Sequence, residues 1–156
     1  MVIHKRARLT PIQREGIMDE AKRSETSDRK RKVLLIDDEE DFCFFVKLNL
    51  EKTGKFEVVT TTSGAKGLIL ALEEQPDLIL LDIIMPEIDG GQVAEQLLES
   101  EKTKDIPVLF ITAIASRQGV QSHEGTIGGR QFIAKPVIPE EIMEKINGVL
   151  EYKKRP

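Results

Sequence analysis

The stretch Val33-Leu34-Leu35-Ile36-Asp37-Asp38 is a run of four apolar residues that ends in two acids. Three more short apolar runs end in a polar residue: Leu78–Leu81 before Asp82, Val108–Ile111 before Thr112, and Phe132–Ala134 before Lys135. Segments with apolar residues at helical spacing lie between these runs. Short, uninterrupted apolar runs that alternate with helices are typical of the buried strands of a parallel sheet. We therefore predict an α/β fold for this chain, built on a doubly wound parallel sheet.

The polar residues after these strands are expected to meet at one edge of the sheet, because parallel sheets bind ligands at the carboxyl ends of their strands. They are Asp37, Asp38, Asp82, Thr112 and Lys135. Three carboxylates in one small pocket repel one another and raise each other's pKa unless a divalent cation neutralises them. A hydroxyl and an ammonium group suit the oxygens of a phosphoryl group. The pattern predicts a phosphoryl acceptor that uses Mg²⁺, since the candidate ligands are all oxygens.

Four motifs occur in one order, each at the end of a predicted strand. They are Asp37-Asp38-Glu39, Asp82-Ile83-Ile84-Met85-Pro86-Glu87-Ile88-Asp89-Gly90, Thr112-Ala113 and Lys135-Pro136. On these motifs, residues 33–151 resemble the receiver domain of bacterial two-component response regulators. The resemblance implies a flavodoxin-like, five-stranded parallel sheet in the order 2-1-3-4-5 with helices on both faces, as in the single-domain chemotaxis regulator. The alternative is a doubly wound domain whose edge residues are only solvated strand ends.

The resemblance assigns the central chemistry to Asp82, whose carboxylate would attack a phosphodonor and form an aspartyl phosphate. The donor that it implies is a phosphohistidine on a sensor histidine kinase or a phosphotransfer protein. Asp38, Asp82 and the backbone carbonyl of Ile84 are implied as direct Mg²⁺ ligands, and Asp37 as a ligand through water. Such a receiver catalyses only its own phosphorylation and dephosphorylation and signals by contact with partner proteins. We therefore do not expect a conventional enzyme.

The same resemblance gives roles to the residues on the last two strands. Lys135 and Thr112 would contact the phosphoryl oxygens. Phe132 matches an aromatic switch position, where the ring turns inward as Thr112 moves toward the phosphate; ordinary packing of an edge strand is the alternative for this ring. Pro136 is expected after a cis peptide bond that aims Lys135 into the pocket.

Two features depart from the family pattern, and a third bears on the lifetime of the phosphorylated state. Residues 116–130 contain four glycines, at 119, 125, 128 and 129, which make a helix there marginal. Ile138 replaces the usual capping residue before the last helix. Ile84 and Ile114 would lie over the phosphoryl group and offer an attacking water no hydrogen bond, so we predict a long-lived phosphorylated state.

Apolar residues at helical spacing predict which side of each helix faces the sheet. Helices are expected over Glu39 to about Thr53, after a Ser63 cap, after Asp89-Gly90 and from Pro139, and Phe56–Thr61 is expected as an edge strand. The inward residues are predicted to be Phe42, Phe45, Val46 and Leu50; Ala65, Leu68, Ile69 and Leu72; Val93, Leu97 and Leu98; and Ile142, Ile146 and Val149.

Charge divides the 156-residue chain into a basic arm and an acidic remainder. Residues 1–32 carry ten Lys or Arg and five Asp or Glu, a net charge of +5, whereas residues 33–156 carry a net charge of −9. We predict a flexible or partly helical arm over residues 1–32, the receiver over residues 33–151 and a tail over residues 152–156. We do not expect the receiver itself to bind nucleic acid, because such surfaces are usually basic.

Two other functions remain open alternatives. In the first, the basic arm binds nucleic acid or a partner and the receiver only gates it, which salt-dependent binding lost on deletion of residues 1–32 would favour. A related alternative is that the chain is a fragment of a larger regulator. In the second, the chain is a hydrolase of small phosphate esters, but Ile84 stands two residues after Asp82, where such an enzyme needs a general acid.

Cysteine and apolar content indicate the compartment. Cys43 is the only cysteine, so no intrachain disulfide is possible and a reducing compartment is expected. No apolar run approaches the roughly 18 residues of a membrane span, and the start of the chain lacks the apolar core of a signal peptide. We predict a cytoplasmic protein without a membrane segment, in which His4 and His123 are surface residues.

Overall fold

The computed structural model describes residues 29–113, 126–127 and 130–155, so the predictions for residues 1–28 lie outside the described residues. Strands and helices alternate along the described chain. The elements are β1 (Arg31–Ile36), α1 (Glu40–Glu51), β2 (Phe56–Thr61), α2 (Gly64–Glu74), β3 (Leu78–Asp82), α3 (Gly90–Glu99), β4 (Val108–Thr112), β5 (Thr126–Ile127), β6 (Arg130–Ala134) and α4 (Pro139–Lys153). Each predicted apolar run lies inside a strand, and each helix begins within one residue of its predicted start.

The strands form one sheet in the order β2-β1-β3-β4-β6-β5. β1, β2, β3, β4 and β6 are parallel, which confirms the predicted order 2-1-3-4-5 with β6 as the fifth parallel strand. β2 lies at one edge, as predicted. At the other edge, β5 pairs antiparallel with β6. The sequence does not predict β5, because two residues are too few for a periodic pattern, although the Gly-Gly pair after it favours a tight hairpin connection.

Helices cover both faces of the sheet, as the flavodoxin-like arrangement requires. α1 and α4 pack on one face, and the residues that they bury there are Cys43, Val46, Leu50, Ile142, Ile146 and Leu150. α2 and α3 pack on the other face, and the residues that they bury there are Ala71, Val93, Ala94 and Leu97. None of the helices in the described part of the chain is long and apolar enough to cross a membrane.

Several of the predicted inward side chains face the solvent instead: Phe45, Ala65, Ile69, Leu72 and Leu98. In α2 the reason is the close approach of the helix to β1. A Cβ atom at Gly67 would overlap the Ile36 side chain, so α2 turns its small residues, Gly67 and Ala71, toward the sheet. The larger residues then point outward. In α4, Leu150 is buried and Val149 only half-buried.

The starts of the helices fix the loops around the carboxyl edge of the sheet. Asp89 caps α3 by accepting a hydrogen bond from the Gln92 backbone N–H at 2.9 Å, and the Gln92 side chain accepts one from the Asp89 N–H. Gly90 packs so tightly on the end of β3 that a Cβ atom there would overlap the Asp82 carbonyl oxygen. As predicted, Ser63 caps α2 and Ile138 provides no side-chain cap for α4.

Candidate functional site

The carboxyl ends of four parallel strands bring together the predicted polar residues. Asp37 follows β1 directly, Asp82 ends β3, Thr112 ends β4 and Lys135 follows β6. Asp37, Asp82 and Thr112 are all at least 96% buried. The parallel register, in which Thr112 pairs with Ala134, places the carboxyl ends of these strands side by side. The convergence expected from the sequence is therefore present in the fold.

Three carboxylates form a compact cluster at this edge. Asp37, Asp38 and Asp82 each place one oxygen within 4.8 Å of the others, with Asp38 exposed and the other two buried. Asp37 Oδ1 accepts a hydrogen bond from the Glu39 backbone N–H at 2.9 Å. Asp37 Oδ2, although buried, has no hydrogen-bond partner among the described residues. The oxygen-only donors of this cluster fit a hard divalent cation.

Lys135 crosses the mouth of this cluster. Its Nζ lies 2.7 Å from Asp37 Oδ2 in an ion-pair contact that lacks hydrogen-bond angles, 2.8 Å from Glu39 Oε1 and 3.7 Å from Asp82 Oδ2. The ring centroid of Phe42 lies 4.3 Å from the same nitrogen, a distance typical of a cation–π contact. The Lys135 backbone N–H donates to the Thr112 carbonyl at 2.8 Å, and the Lys135–Pro136 peptide bond is cis, as expected.

Glu39 and Phe42 belong to the site in the structure, although neither was predicted as a site residue. Glu39 belongs to the quoted acid motif, and Phe42 was interpreted as a core residue of α1. Their positions did carry a signal, because Glu39 follows the acid pair directly and Phe42 lies one helical turn further on, on the same side of α1. What the sequence did not reveal is that both meet Lys135, which lies 96 residues after Glu39.

Burial shifts the pKa of the charged groups. Burial and the neighbouring charge of Asp37 raise the pKa of Asp82 to about 6. Burial also raises the pKa of Asp37, although Lys135 opposes the shift. Burial alone would lower the pKa of Lys135, but its contacts with Asp37 and Glu39 outweigh that effect and raise it. The site therefore holds more negative charge than its lysine neutralises, which again favours a cation.

For the remaining predicted site residues, the structure shows the position of some and does not describe others. The Ile84 N–H lies 3.4 Å from Asp82 Oδ1 and its side chain is exposed, while its carbonyl as a metal ligand stays a prediction. Phe132 is buried opposite Phe110 on the α2–α3 face, and its switching stays a prediction. Ile114 and most of the segment 116–130 lie outside the described residues, so the predictions for them, including the long-lived phosphorylated state, remain open.

Beside Lys135 lies an open groove of about 510 Å³. It is lined by Glu39, Phe42, Phe45, Ala113, Lys135, Pro136 and Val137. The groove lies between α1 and the segment after β6, and Lys135 and Glu39 are its charged lining residues.

Comparison with known proteins identifies the class. The family model of the response regulator receiver domain matches residues 33–147. The chain therefore belongs to the response regulator receiver domains, which are signalling modules of two-component systems rather than conventional enzymes. Such domains interact with histidine kinases or phosphotransfer proteins.

Individual relatives agree with this class. The chain is 37% identical over 120 residues to the DNA-binding dual master transcriptional regulator RpaA of Synechocystis, an alignment of 76% of this chain and 48% of RpaA. It is 33% identical over 119 residues to protein PilH of Pseudomonas aeruginosa, covering 76% of this chain and 97% of PilH. The chemotaxis protein CheY4 of Vibrio cholerae superposes with a TM-score of 0.67 at 26% identity, over 78% of this chain and 99% of CheY4. The chain spans about half the length of the curated transcriptional regulators that it matches.

Proposed function

We propose that this chain is the phosphoacceptor receiver of a two-component phosphorelay, and that it accepts a phosphoryl group on Asp82 in the presence of Mg²⁺. One observation carries the proposal. Asp82 lies buried at the end of β3, within 4.8 Å of Asp37 and Asp38 and 3.7 Å from the Lys135 ammonium. With a pKa near 6, Asp82 is mainly a carboxylate at neutral pH, and the carboxylate is the form that can act as a nucleophile.

In the proposed reaction, an Asp82 carboxylate oxygen attacks the phosphorus as the bond from phosphorus to the donor nitrogen breaks. The electron pair of that bond returns to the imidazole of the donor, and an acyl phosphate remains on Asp82. Lys135 balances the charge on the phosphoryl oxygens and Thr112 donates a hydrogen bond to one of them. The groups that would hold Mg²⁺ are the carboxylates of Asp37, Asp38 and Asp82 and the carbonyl of Ile84. When bound, the cation supplies positive charge that offsets the acids and the incoming phosphoryl group.

The donor that we propose is a phosphohistidine on a sensor histidine kinase or a phosphotransfer protein, and the output is contact with a downstream protein in the cytoplasm. The relatives suggest two settings for that output, a receiver that acts by itself and a receiver that is one part of a longer regulator. PilH is matched over nearly its whole length, whereas RpaA is matched over half. A second candidate, in which the receiver gates a nucleic-acid-binding or partner-binding arm, is favoured by the net charge of +5 on residues 1–32.

Mass spectrometry tests the proposal directly. Incubation with a small acyl phosphate or a phosphoramidate and Mg²⁺ is expected to add one phosphoryl group to the wild type, and chelation of Mg²⁺ is expected to prevent the addition. Asp82→Asn should remain unlabelled. Asp105→Asn is the matched control, because Asp105 is exposed and precedes β4 at the opposite edge of the sheet. Normal labelling of Asp82→Asn would disprove the assignment.

A further inference from the structure

The partners of Lys135 differ sharply in exposure. Nζ contacts Asp37 Oδ2 at 2.7 Å and Glu39 Oε1 at 2.8 Å, while Asp82 Oδ2 is about an ångström more distant at 3.7 Å. The Asp37 side chain is completely buried, whereas 63% of the Glu39 side chain is exposed. Two close carboxylates therefore hold the same ammonium, one from inside the protein and one from its surface.

An ammonium group has three N–H donors and no acceptor. In the structure, Nζ donates a hydrogen bond to Glu39, lies in ion-pair contact with Asp37 and more distantly with Asp82, and has the Phe42 ring against it. A phosphoryl oxygen on Asp82 would bring further negative charge to this ammonium, which already lies 2.7 Å and 2.8 Å from two carboxylates. The incoming oxygen thus competes with Asp37 or with Glu39.

Burial decides which contact is exchanged. If Asp37 lost Lys135, a carboxylate without exposed surface would lose one of its two counter-charges and leave Mg²⁺ to offset it alone, which is costly in the interior of a protein. If Glu39 lost Lys135, water would solvate its carboxylate, and exposed ion pairs contribute little. Separation from Glu39 is therefore the less costly route.

The side chain of Glu39 does not take part in capping α1. Glu39 occupies the N-cap position of α1, but its side chain makes no capping hydrogen bond to the helix. Its carboxylate lies against Lys135 instead. Ser, Thr, Asp and Asn are the residues whose side chains usually cap a helix start, and glutamate is not among them. Here the side chain positions a lysine of the site.

We propose that Glu39 is a positioning residue, which holds Lys135 in the unphosphorylated site and is the partner that Lys135 leaves when a phosphoryl group occupies Asp82. The inference rests on the function proposed above. It predicts that the contact with Glu39 weakens binding of any phosphoryl-like group, because only the fraction of molecules in which Lys135 is released binds it at full strength.

The test is the equilibrium binding of trifluoroberyllate, a phosphoryl analogue, at saturating Mg²⁺, followed by calorimetry or ¹⁹F NMR. Glu39→Gln is expected to bind the analogue about twofold to fivefold more tightly than the wild type, the range that an exposed ion pair contributes. Glu40→Gln is the matched control. It removes the same charge from the neighbouring exposed residue, which opens α1, and is expected to give no comparable gain.

A second comparison separates release of the lysine from a general change in charge. In a Lys135→Met background, Glu39→Gln should no longer tighten binding, because there is no ammonium to release. Equal gains from Glu39→Gln and Glu40→Gln, or a gain that persists without Lys135, would overturn the inference while the proposed function stands. A wild type that neither binds the analogue nor takes up a phosphoryl group would overturn both.

Discussion

At the scale of single residues, the buried carboxylates of Asp37 and Asp82 are the least favourable groups in this fold. They lie at the ends of the neighbouring strands β1 and β3, and burial raises the pKa of both. Lys135 offsets only part of this cost, because it also contacts Glu39. Such a site carries excess negative charge that a bound divalent cation can offset, which agrees with the acidic Mg²⁺ site of receiver domains.

The first prediction concerns the pH dependence of stability without metal. Because the folded pKa of Asp82, about 6, lies above its ordinary value of 3.8, this group stabilises the fold fully below pH 3.8 and loses that effect as the pH rises through 6. Asp82→Asn should therefore raise the free energy of unfolding by about 1 to 2 kcal/mol at pH 7.5 in a chelator, and by less near pH 5. Urea denaturation measures the difference. An Asp82→Asn variant that is less stable than the wild type at pH 7.5 would contradict the prediction.

At the scale of elements, the packing of α2 on β1 determines which helix face is buried. Gly67 and Ala71 face the sheet, and the larger Ile69 and Leu72 remain exposed. Small residues at the contact let the helix axis approach the sheet closely, so that the Ile36 side chain fills the space that a Cβ atom would need. This approach also brings α2 beside β1, the strand that Asp37 follows.

The second prediction tests that contact with two glycines in helices. Gly67→Ala should destabilise the protein by about 1 to 3 kcal/mol, because the new methyl group overlaps the buried Ile36 side chain. Gly148→Ala in α4 should stabilise it by about 0.5 to 1 kcal/mol, since no atom lies within 4 Å of the added Cβ and alanine favours a helix. Chemical denaturation of both variants gives the comparison. A neutral or stabilising Gly67→Ala would show that α2 can move away from β1 at no cost.

At the scale of the whole molecule, the candidate site of the metal ion and the phosphoryl group links three separate segments of the described chain. Asp37 and Asp38 follow β1, Asp82 ends β3 and Lys135 follows β6, so the site exists only when the sheet is complete. A cation that binds there binds the folded state and not the unfolded chain. Binding must then stabilise the entire sheet by mass action.

The third prediction follows from this linkage. Mg²⁺ at about 100 times its dissociation constant should raise the free energy of unfolding of the wild type by about 2.7 kcal/mol. Asp38→Ala should shift the response to higher Mg²⁺ concentration, because it removes one exposed ligand while leaving the buried pair in place. Thermal denaturation in a series of Mg²⁺ concentrations measures both effects, with Ca²⁺-free buffer and Asp105→Asn as controls. An equal response from Asp38→Ala and the wild type would exclude Asp38 as a ligand.

The sequence by itself determined the parallel strands and the polar residues at their ends. Apolar runs such as Val33–Ile36 and Leu78–Leu81 are local patterns in the sequence. They indicate a strand that is buried on both faces, and this can be recognised without knowing which strands lie beside it. Asp37, Asp82, Thr112 and Lys135 could be expected at one edge, because parallel strands place their carboxyl ends together. The family resemblance added the order of the strands.

Only the tertiary structure decided which small set of contacts the site makes and which helix faces are buried. Glu39 and Lys135 are 96 residues apart, so no local pattern relates them, and their contact depends on how α1 and β6 lie across the sheet. The inward face of α2 depends on the closeness of Gly67 to Ile36, which hydrophobic periodicity cannot measure because it ranks residues by polarity and not by size. Local chemistry thus specified the elements and their polar ends, while distances between elements specified the partners of each side chain.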